Sequence, residues 1–101
     1  MQLKKGVTLK GMSAVLFPAM LIIDQYFQSI NKAFVITSIT DSVHKVGSKH
    51  YKGEAFDFRI SNLTTKEVLT MQDCLISLLY GNYDVILEKD HFHIEFEEHK
   101  S

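Results

Sequence analysis

Two short segments of this 101-residue chain alternate strictly between apolar and polar side chains. Residues 55–60 read A-F-D-F-R-I and residues 91–96 read H-F-H-I-E-F, so that one face of each segment is apolar throughout. Because successive side chains of a β-strand point to opposite faces, this pattern predicts two strands, at residues 55–60 and 92–96, that each bury one face. The polar positions include Asp57, Arg59, His91 and His93. If both strands belong to one sheet, these four groups share a surface, and we expect the chemistry of the protein there.

The other predicted elements follow one another without a regular βαβ rhythm. The apolar residues that follow Ser13 recur at helical spacing and predict a first helix. Thr64 and Glu67 have the spacing of a capping box and predict the start of a second helix. Two further strands are predicted at residues 33–37 and 83–87. The expected fold class is α+β, with an antiparallel sheet, two main helices packed on one face and the functional site on the other.

Size and composition restrict the class of protein. The chain is long enough for one hydrophobic core, and we expect a single domain over residues 1–101. The single cysteine, Cys74, excludes an internal disulfide and a cysteine-rich zinc site. A net charge of −1, with Arg59 as the only arginine, argues against nucleic acid as a partner.

The apolar run at residues 12–23 fits neither a membrane span nor a secretion signal. It is too short to cross a bilayer, and no small-residue cleavage pattern follows it. We therefore expect a protein made in the cytoplasm without a signal peptide, with no membrane span. We also expect a monomer.

The imidazole and carboxylate groups suggest a zinc site. A catalytic zinc ion needs about three protein ligands and one open position. His50, Asp57 and His93 offer two imidazoles and one carboxylate, which are donor types that suit Zn²⁺. On spacing alone, the alternative is that Asp57 pairs with Arg59 or a lysine while the histidines decorate the surface.

A longer motif surrounds two of these residues. Residues 48–57 read S-K-H-Y-K-G-E-A-F-D and fit the pattern S-x-H-x-x-G-x-A-x-D at every fixed position. Asp90 and His93 then form a D-x-x-H motif. Together these motifs resemble those of the zinc D-Ala-D-Ala carboxypeptidase and L-alanyl-D-glutamate endopeptidase family of bacterial cell walls and phage endolysins. The resemblance implies that His50, Asp57 and His93 bind Zn²⁺ on the sheet face opposite the helices.

The same resemblance implies further roles. Asp90 corresponds to the acidic catalytic residue, the general base of the reaction. Glu88 is a rival carboxylate, but it lies five residues before His93 instead of three. His91 shares a strand face with His93, and we expect it either to stabilise the oxyanion or orient the water, or to be a surface imidazole or one that supports a metal ligand. Ser48 hydrogen-bonds a ligand imidazole, or simply caps its loop.

One departure from the family concerns substrate binding. Many members carry an arginine in a T-S-G-x-R segment after the first strand, whereas this chain reads T-S-I-T-D at residues 37–41. An oxyanion or a substrate carboxylate needs a positively charged or hydrogen-bonding donor. His44 and Arg59 are the candidate replacements. The alternatives are a solvated loop histidine and an arginine paired with an acidic residue.

The first functional hypothesis is a zinc peptidase that hydrolyses a peptidoglycan stem peptide, at a D-Ala-D-Ala or an L-Ala-D-Glu bond. A phage or prophage lysis enzyme that reaches the cell wall through a holin fits the expected lack of a signal peptide. The alternative from another class is a catalytically inactive zinc-binding module of a phage particle. A zinc peptidase that cuts a protein or a small peptide also stays open.

Overall fold

The computed structural model describes residues 1–39 and 53–97. Its elements are β1 (Gln2–Leu3), a 3₁₀ turn (Ala14–Leu16), α1 (Phe17–Ser29), β2 (Val35–Ser38), β3 (Ala55–Arg59), α2 (Thr65–Leu78), β4 (Tyr83–Leu87) and β5 (His91–Phe96). The α+β class, both helices and the four predicted strands are thereby confirmed. The short strand β1 was not predicted.

The five strands form one sheet in the order β1-β2-β3-β5-β4. Strands β2, β3, β5 and β4 pair antiparallel with their neighbours, as predicted. However, β1 pairs parallel with β2, so the sheet is mixed, and the prediction of a purely antiparallel sheet was wrong on this point. The reason is connectivity: α1 lies between β1 and β2 and returns the chain in the original direction, as parallel pairing requires.

Local hydrogen bonds explain where the helices begin. The hydroxyl of Ser13 accepts from the backbone N–H of Val15 at the 3₁₀ turn that leads into α1. At α2, the hydroxyl of Thr64 accepts from the N–H of Glu67, and the Glu67 carboxylate accepts from the N–H of Thr64. This reciprocal pair is the predicted capping box, and it satisfies two amide donors that the helix leaves without partners.

Both helices pack on the apolar face of the sheet. Buried residues of α1 and α2 belong to the same core cluster as the buried residues of β3 and β5. Phe58 lies at the centre of this core. Its ring is 5.6 Å from that of Phe27 on α1, 5.3 Å from that of Phe34 and 5.4 Å from that of Phe92 on β5. The helices therefore cover one face, which leaves the other face for polar groups.

The two helices of the described residues are short. No helix within residues 1–39 and 53–97 is long and apolar enough to cross a membrane.

Candidate metal centre

The polar side chains of β3 and β5 lie on one surface, as the alternation predicts. Asp57 pairs with His93 across the two strands, and Arg59 pairs with His91. Directly opposite residues of an antiparallel pair project to the same side of the sheet. The buried pairs Phe56–Ile94 and Phe58–Phe92 flank Asp57–His93 and belong to the core. A shift of one residue would bury the polar groups, so the core holds this register.

Asp57 and His93 are in direct contact. Nδ1 of His93 lies 2.9 Å from Oδ1 of Asp57, and only 15% and 13% of their side-chain surfaces are exposed. Nε2 of His93 lies 3.0 Å from Oε1 of Glu95. The imidazole is thus held between two carboxylates, one on the neighbouring strand and one on its own strand.

This arrangement favours the protonated imidazole when no metal is bound. The hydrogen bond to Asp57 is the largest cause of a raised pKa at His93, and the bond to Glu95 adds to it. Burial acts in the opposite direction, because it penalises the charged form. The two carboxylates therefore favour positive charge at His93, and a metal ion must compete with the proton there.

The donor set fits a zinc ion in part. Asp57 Oδ1 and His93 Nδ1 are adjacent donor atoms of the two kinds that zinc accepts besides thiolate. Glu95 holds the second nitrogen of the imidazole, as carboxylates commonly do for metal-binding histidines. The third predicted ligand, His50, lies outside the described residues, as do Ser48 and His44. The described part of the chain therefore supplies two of the three predicted ligands and an orienting carboxylate.

His91 connects Asp57 with Asp90. Its Nδ1 lies 2.6 Å from Oδ1 of Asp90, and its Nε2 lies 3.7 Å from Oδ2 of Asp57. The side chain of Asp90 is 84% exposed, and the hydrogen bond from His91 lowers its pKa. Glu88, the rival carboxylate, is exposed at the end of β4, and its backbone N–H closes the hairpin onto the carbonyl of His91. Carboxylates and imidazoles thus alternate along this surface.

A cleft of about 460 Å³ opens beside this row of groups. Its lining includes Asp57, Asp90 and His91 from the row, together with Arg59 and Lys4. The structure therefore brings Arg59 to the same cleft as Asp57. The sequence had made Arg59 a candidate for substrate binding. The sequence did not indicate Lys4 as a residue of the site, because nothing around residues 2–4 predicts a strand.

A group of carboxylates lies at the other side of the polar face. Oxygen atoms of Asp84, Glu95 and Glu97 all lie within 4.8 Å of one another, and Asp84 is directly opposite Glu95 in the β4–β5 pairing. The sequence does not predict this group, because it depends on the β4–β5 register. The group places three carboxylates close together on the β4 side of the polar face.

Comparison with protein families, with curated proteins and with solved structures found no match to this chain. The chain's own residues, their geometry and the motifs at residues 48–57 and 90–93 are therefore what indicates a function.

Proposed function

We propose that this protein is a zinc-dependent peptidase that hydrolyses peptide bonds of peptidoglycan. The observation that supports this most directly is the pair of donor atoms on Asp57 and His93, 2.9 Å apart on the polar face of the sheet. Beside this pair the chain supplies an orienting carboxylate, a second imidazole and an open cleft. The motifs at residues 48–57 and 90–93 support the choice of peptide bond hydrolysis and of the cell wall as the substrate.

His50, Asp57 and His93 would hold the metal in this proposal. A zinc ion bound there would supply a Lewis acid, which makes water more acidic and polarises a carbonyl group. Glu95 would fix the ring orientation and the protonation state of His93, because it already binds the other ring nitrogen. Asp57 would lie at the centre of the site, since it contacts His93 through one oxygen and faces His91 with the other.

Asp90 is the proposed general base. Its lowered pKa keeps the carboxylate ionised at neutral pH, so it can accept a proton from the attacking water and deliver it to the departing amine. His91 binds Asp90 at 2.6 Å and lies between it and Asp57. His91 would therefore position the base next to the reacting water. Arg59, in the same cleft, would contact the substrate.

A zinc-binding module without catalysis is the alternative function, and one observation favours it. Asp90 is 84% exposed and its pKa is lowered, whereas a general base works best when its pKa lies near the working pH. Under this alternative Asp90 and His91 form an ordinary surface pair. The protein would then bind zinc and a partner, as part of a phage particle, and would not hydrolyse peptides.

Mass spectrometry of digested peptidoglycan separates the two functions. Purified peptidoglycan is incubated with the zinc-loaded protein and, in parallel, with protein stripped by a chelator. We expect new fragments only with zinc, and their masses identify the bond that is cut. Zinc-loaded protein that releases nothing from several types of peptidoglycan would refute the peptidase and favour the binding module.

Two variants test the choice of base. Asp90→Asn should retain zinc and lose at least about 100-fold in turnover, the usual contribution of general base catalysis. Glu88→Gln removes the same charge two residues away and should stay within about threefold of the wild-type rate, an effect typical of a distant surface charge. If Glu88→Gln abolished turnover and Asp90→Asn did not, Glu88 would be the base.

A further inference from the structure

Two positively charged side chains line the cleft beside the candidate metal centre. In the proposed mechanism one of them has no role, and the other only contacts the substrate. They are Lys4 and Arg59, which line the cleft together with Asp57, Asp90 and His91. Within residues 1–39 and 53–97, neither Lys4 nor Arg59 forms an ion pair, whereas Asp57 and Asp90 are engaged by histidines. Lys4 and Arg59 are therefore the two cations of the lining that have no carboxylate partner among the described residues, and an anionic group of a ligand can bind them.

Strand β1 brings Lys4 to the cleft. The backbone N–H of Lys4 donates to the carbonyl of Ile36 at 2.8 Å, and that of Gln2 donates to the carbonyl of Phe34 at 2.8 Å. Leu3 pairs with Ile36, so Lys4 comes next to Thr37, another residue of the cleft. The backbone alone holds this position. The Lys4 side chain is thus left for another role.

Basic and acidic side chains lie on different sides of the polar face of the sheet. Lys4 follows β1 at one edge and Arg59 ends β3, whereas the carboxylates of Asp84, Glu95 and Glu97 lie close together at β4 and β5. An anionic group of a ligand would therefore be attracted to Lys4 and Arg59. A peptide bound across this face would accordingly place its carboxylate near Lys4 and Arg59.

The spacing along β3 limits where that carboxylate lies in the substrate. Arg59 is two residues from Asp57 on the same face, a distance of about 6.6 Å along a strand. An extended peptide advances about 3.3–3.6 Å per residue. A carboxylate bound by Arg59 would therefore lie within one or two residues of a bond held at Asp57. Arginine suits this task, because its planar fork binds a carboxylate through two parallel hydrogen bonds.

We propose that Lys4 and Arg59 bind the free α-carboxylate of the residue that follows the scissile bond. That this residue follows the scissile bond rests on the proposed peptidase function, but binding measurements alone can test the carboxylate site itself. Two stem-peptide sources offer this chemistry: the C-terminal carboxylate of a terminal D-Ala, and the α-carboxylate of a D-Glu that is linked through its side chain. In both, conversion of the carboxylate to an amide should abolish recognition by the two cations.

The test uses two acid–amide pairs of peptides. One is acetyl-Lys-D-Ala-D-Ala and its C-terminal amide, and the other is acetyl-L-Ala-γ-D-Glu-Lys and its D-isoglutamine form. Affinities are measured by NMR titration of the zinc-loaded Asp90→Asn protein, in which the peptides should stay intact, and cleavage rates are measured with the wild-type protein. The pair that shows the larger acid preference identifies the source of the carboxylate.

We expect the acid form of one pair to bind at least about tenfold more tightly than its amide, as a hydrogen-bonded charge pair predicts. Lys4→Gln and Arg59→Gln should each reduce this preference to about threefold or less, while Arg59→Lys should retain part of it. Lys5→Gln is the matched control, since it removes the same charge from the next residue, which does not line the cleft. It should keep the full preference.

Equal affinities for acid and amide in both pairs would overturn the carboxylate site. A full preference for the acid form in both Lys4→Gln and Arg59→Gln would also overturn it. Melting temperatures show whether each variant folds. If Arg59→Gln fails to fold, Lys4→Gln alone tests the carboxylate site, because the hydrogen bonds that join Lys4 to the sheet come from its backbone. An acid preference without cleavage of any peptide would refute only the peptidase. Cleavage of acid and amide at equal rates would refute only the carboxylate site.

Discussion

His93 is the residue on which the candidate site depends. Its two ring nitrogens contact Asp57 and Glu95, so both the position and the tilt of the ring are determined by carboxylates. The contact with Asp57 is the one that a metal ion would replace, because those two atoms are the proposed ligands. The contact with Glu95 can persist in the metal-bound protein, since it involves the other nitrogen. Glu95 is therefore the residue that should adjust metal affinity without binding the metal.

Substitution of Glu95 tests this role. Glu95→Gln should lower zinc affinity by about 10–100-fold, the usual effect of removing a hydrogen-bond partner of a metal-binding histidine. Competition with a coloured chelator measures the affinity. Glu97→Gln removes a neighbouring charge of the same acidic group and should have a much smaller effect. If both variants bound zinc equally weakly, the effect would come from general charge and not from the orientation of His93.

At the scale of the elements, local hydrogen bonds stabilise the helix start, whereas the cross-strand register positions the site residues. The capping box of Thr64 and Glu67 stabilises the start of α2 through bonds between residues three apart. The β3–β5 pairing instead joins residues that are far apart in sequence and places Asp57 against His93. The first can therefore be perturbed without touching the second, which makes α2 a suitable element for testing stability alone.

Glu67 gives stability that depends on pH. The N–H of Thr64 lowers the pKa of the Glu67 carboxyl below its ordinary value of 4.5. A group with a lowered folded-state pKa stabilises the protein above its unfolded pKa, and this contribution is lost as the pH falls through the folded value. The free energy of unfolding of Glu67→Gln should therefore be lower than that of the wild type at neutral pH, and the difference should vanish in acid.

Urea unfolding at a series of pH values measures this difference. Asp73→Asn, which removes an exposed carboxylate from the same helix, is the control and should show a smaller dependence on pH. A Glu67→Gln difference that stayed constant into strong acid would contradict the assignment to the ionised capping box.

At the scale of the whole molecule, the N-terminal segment closes the fold around the site. Strand β1 brings Lys4 to the edge of the polar face, and the following loop contacts the start of β3. The N–H of Ser13 donates to the carbonyl of Gly53 at 2.8 Å. Gly53 belongs to the motif at residues 48–57, has φ +71°, and lies against the carbonyl oxygen of Gly11. Glycine suits this position, because it adopts a positive φ without steric cost.

Gly53 should therefore tolerate no side chain. A β-carbon there would lie 2.1 Å from the Gly11 carbonyl oxygen, in addition to the strain of a left-handed backbone. Gly53→Ala should lose about 2 kcal/mol or more in free energy of unfolding, since the left-handed conformation alone costs about 1–2 kcal/mol. Gly6→Ala is the matched control, because Gly6 also has a positive φ but nothing lies within 4 Å of its added β-carbon. Equal losses in both variants would show that the contact with Gly11 is unimportant.

The sequence by itself determined the elements and the two faces of the sheet. The alternation in residues 55–60 and 91–96 and the capping box at Thr64 are local signals, because strand faces and helix starts depend on residues two to four apart. It also placed Asp57 and His93 on polar faces, and the structure confirms that these faces coincide. The candidate site residues His44, Ser48 and His50 lie outside the described residues and stay predictions.

Only the tertiary structure decided what surrounds Asp57 and His93. Strand β1 has two residues and no periodicity, so its parallel pairing with β2 and the arrival of Lys4 in the cleft follow from hydrogen bonds between distant segments. The acidic group at Asp84 and the separation of basic from acidic side chains across the sheet follow from the order of the strands. Such contacts depend on register and strand order. The core determines both, because only one pairing buries all the apolar faces together.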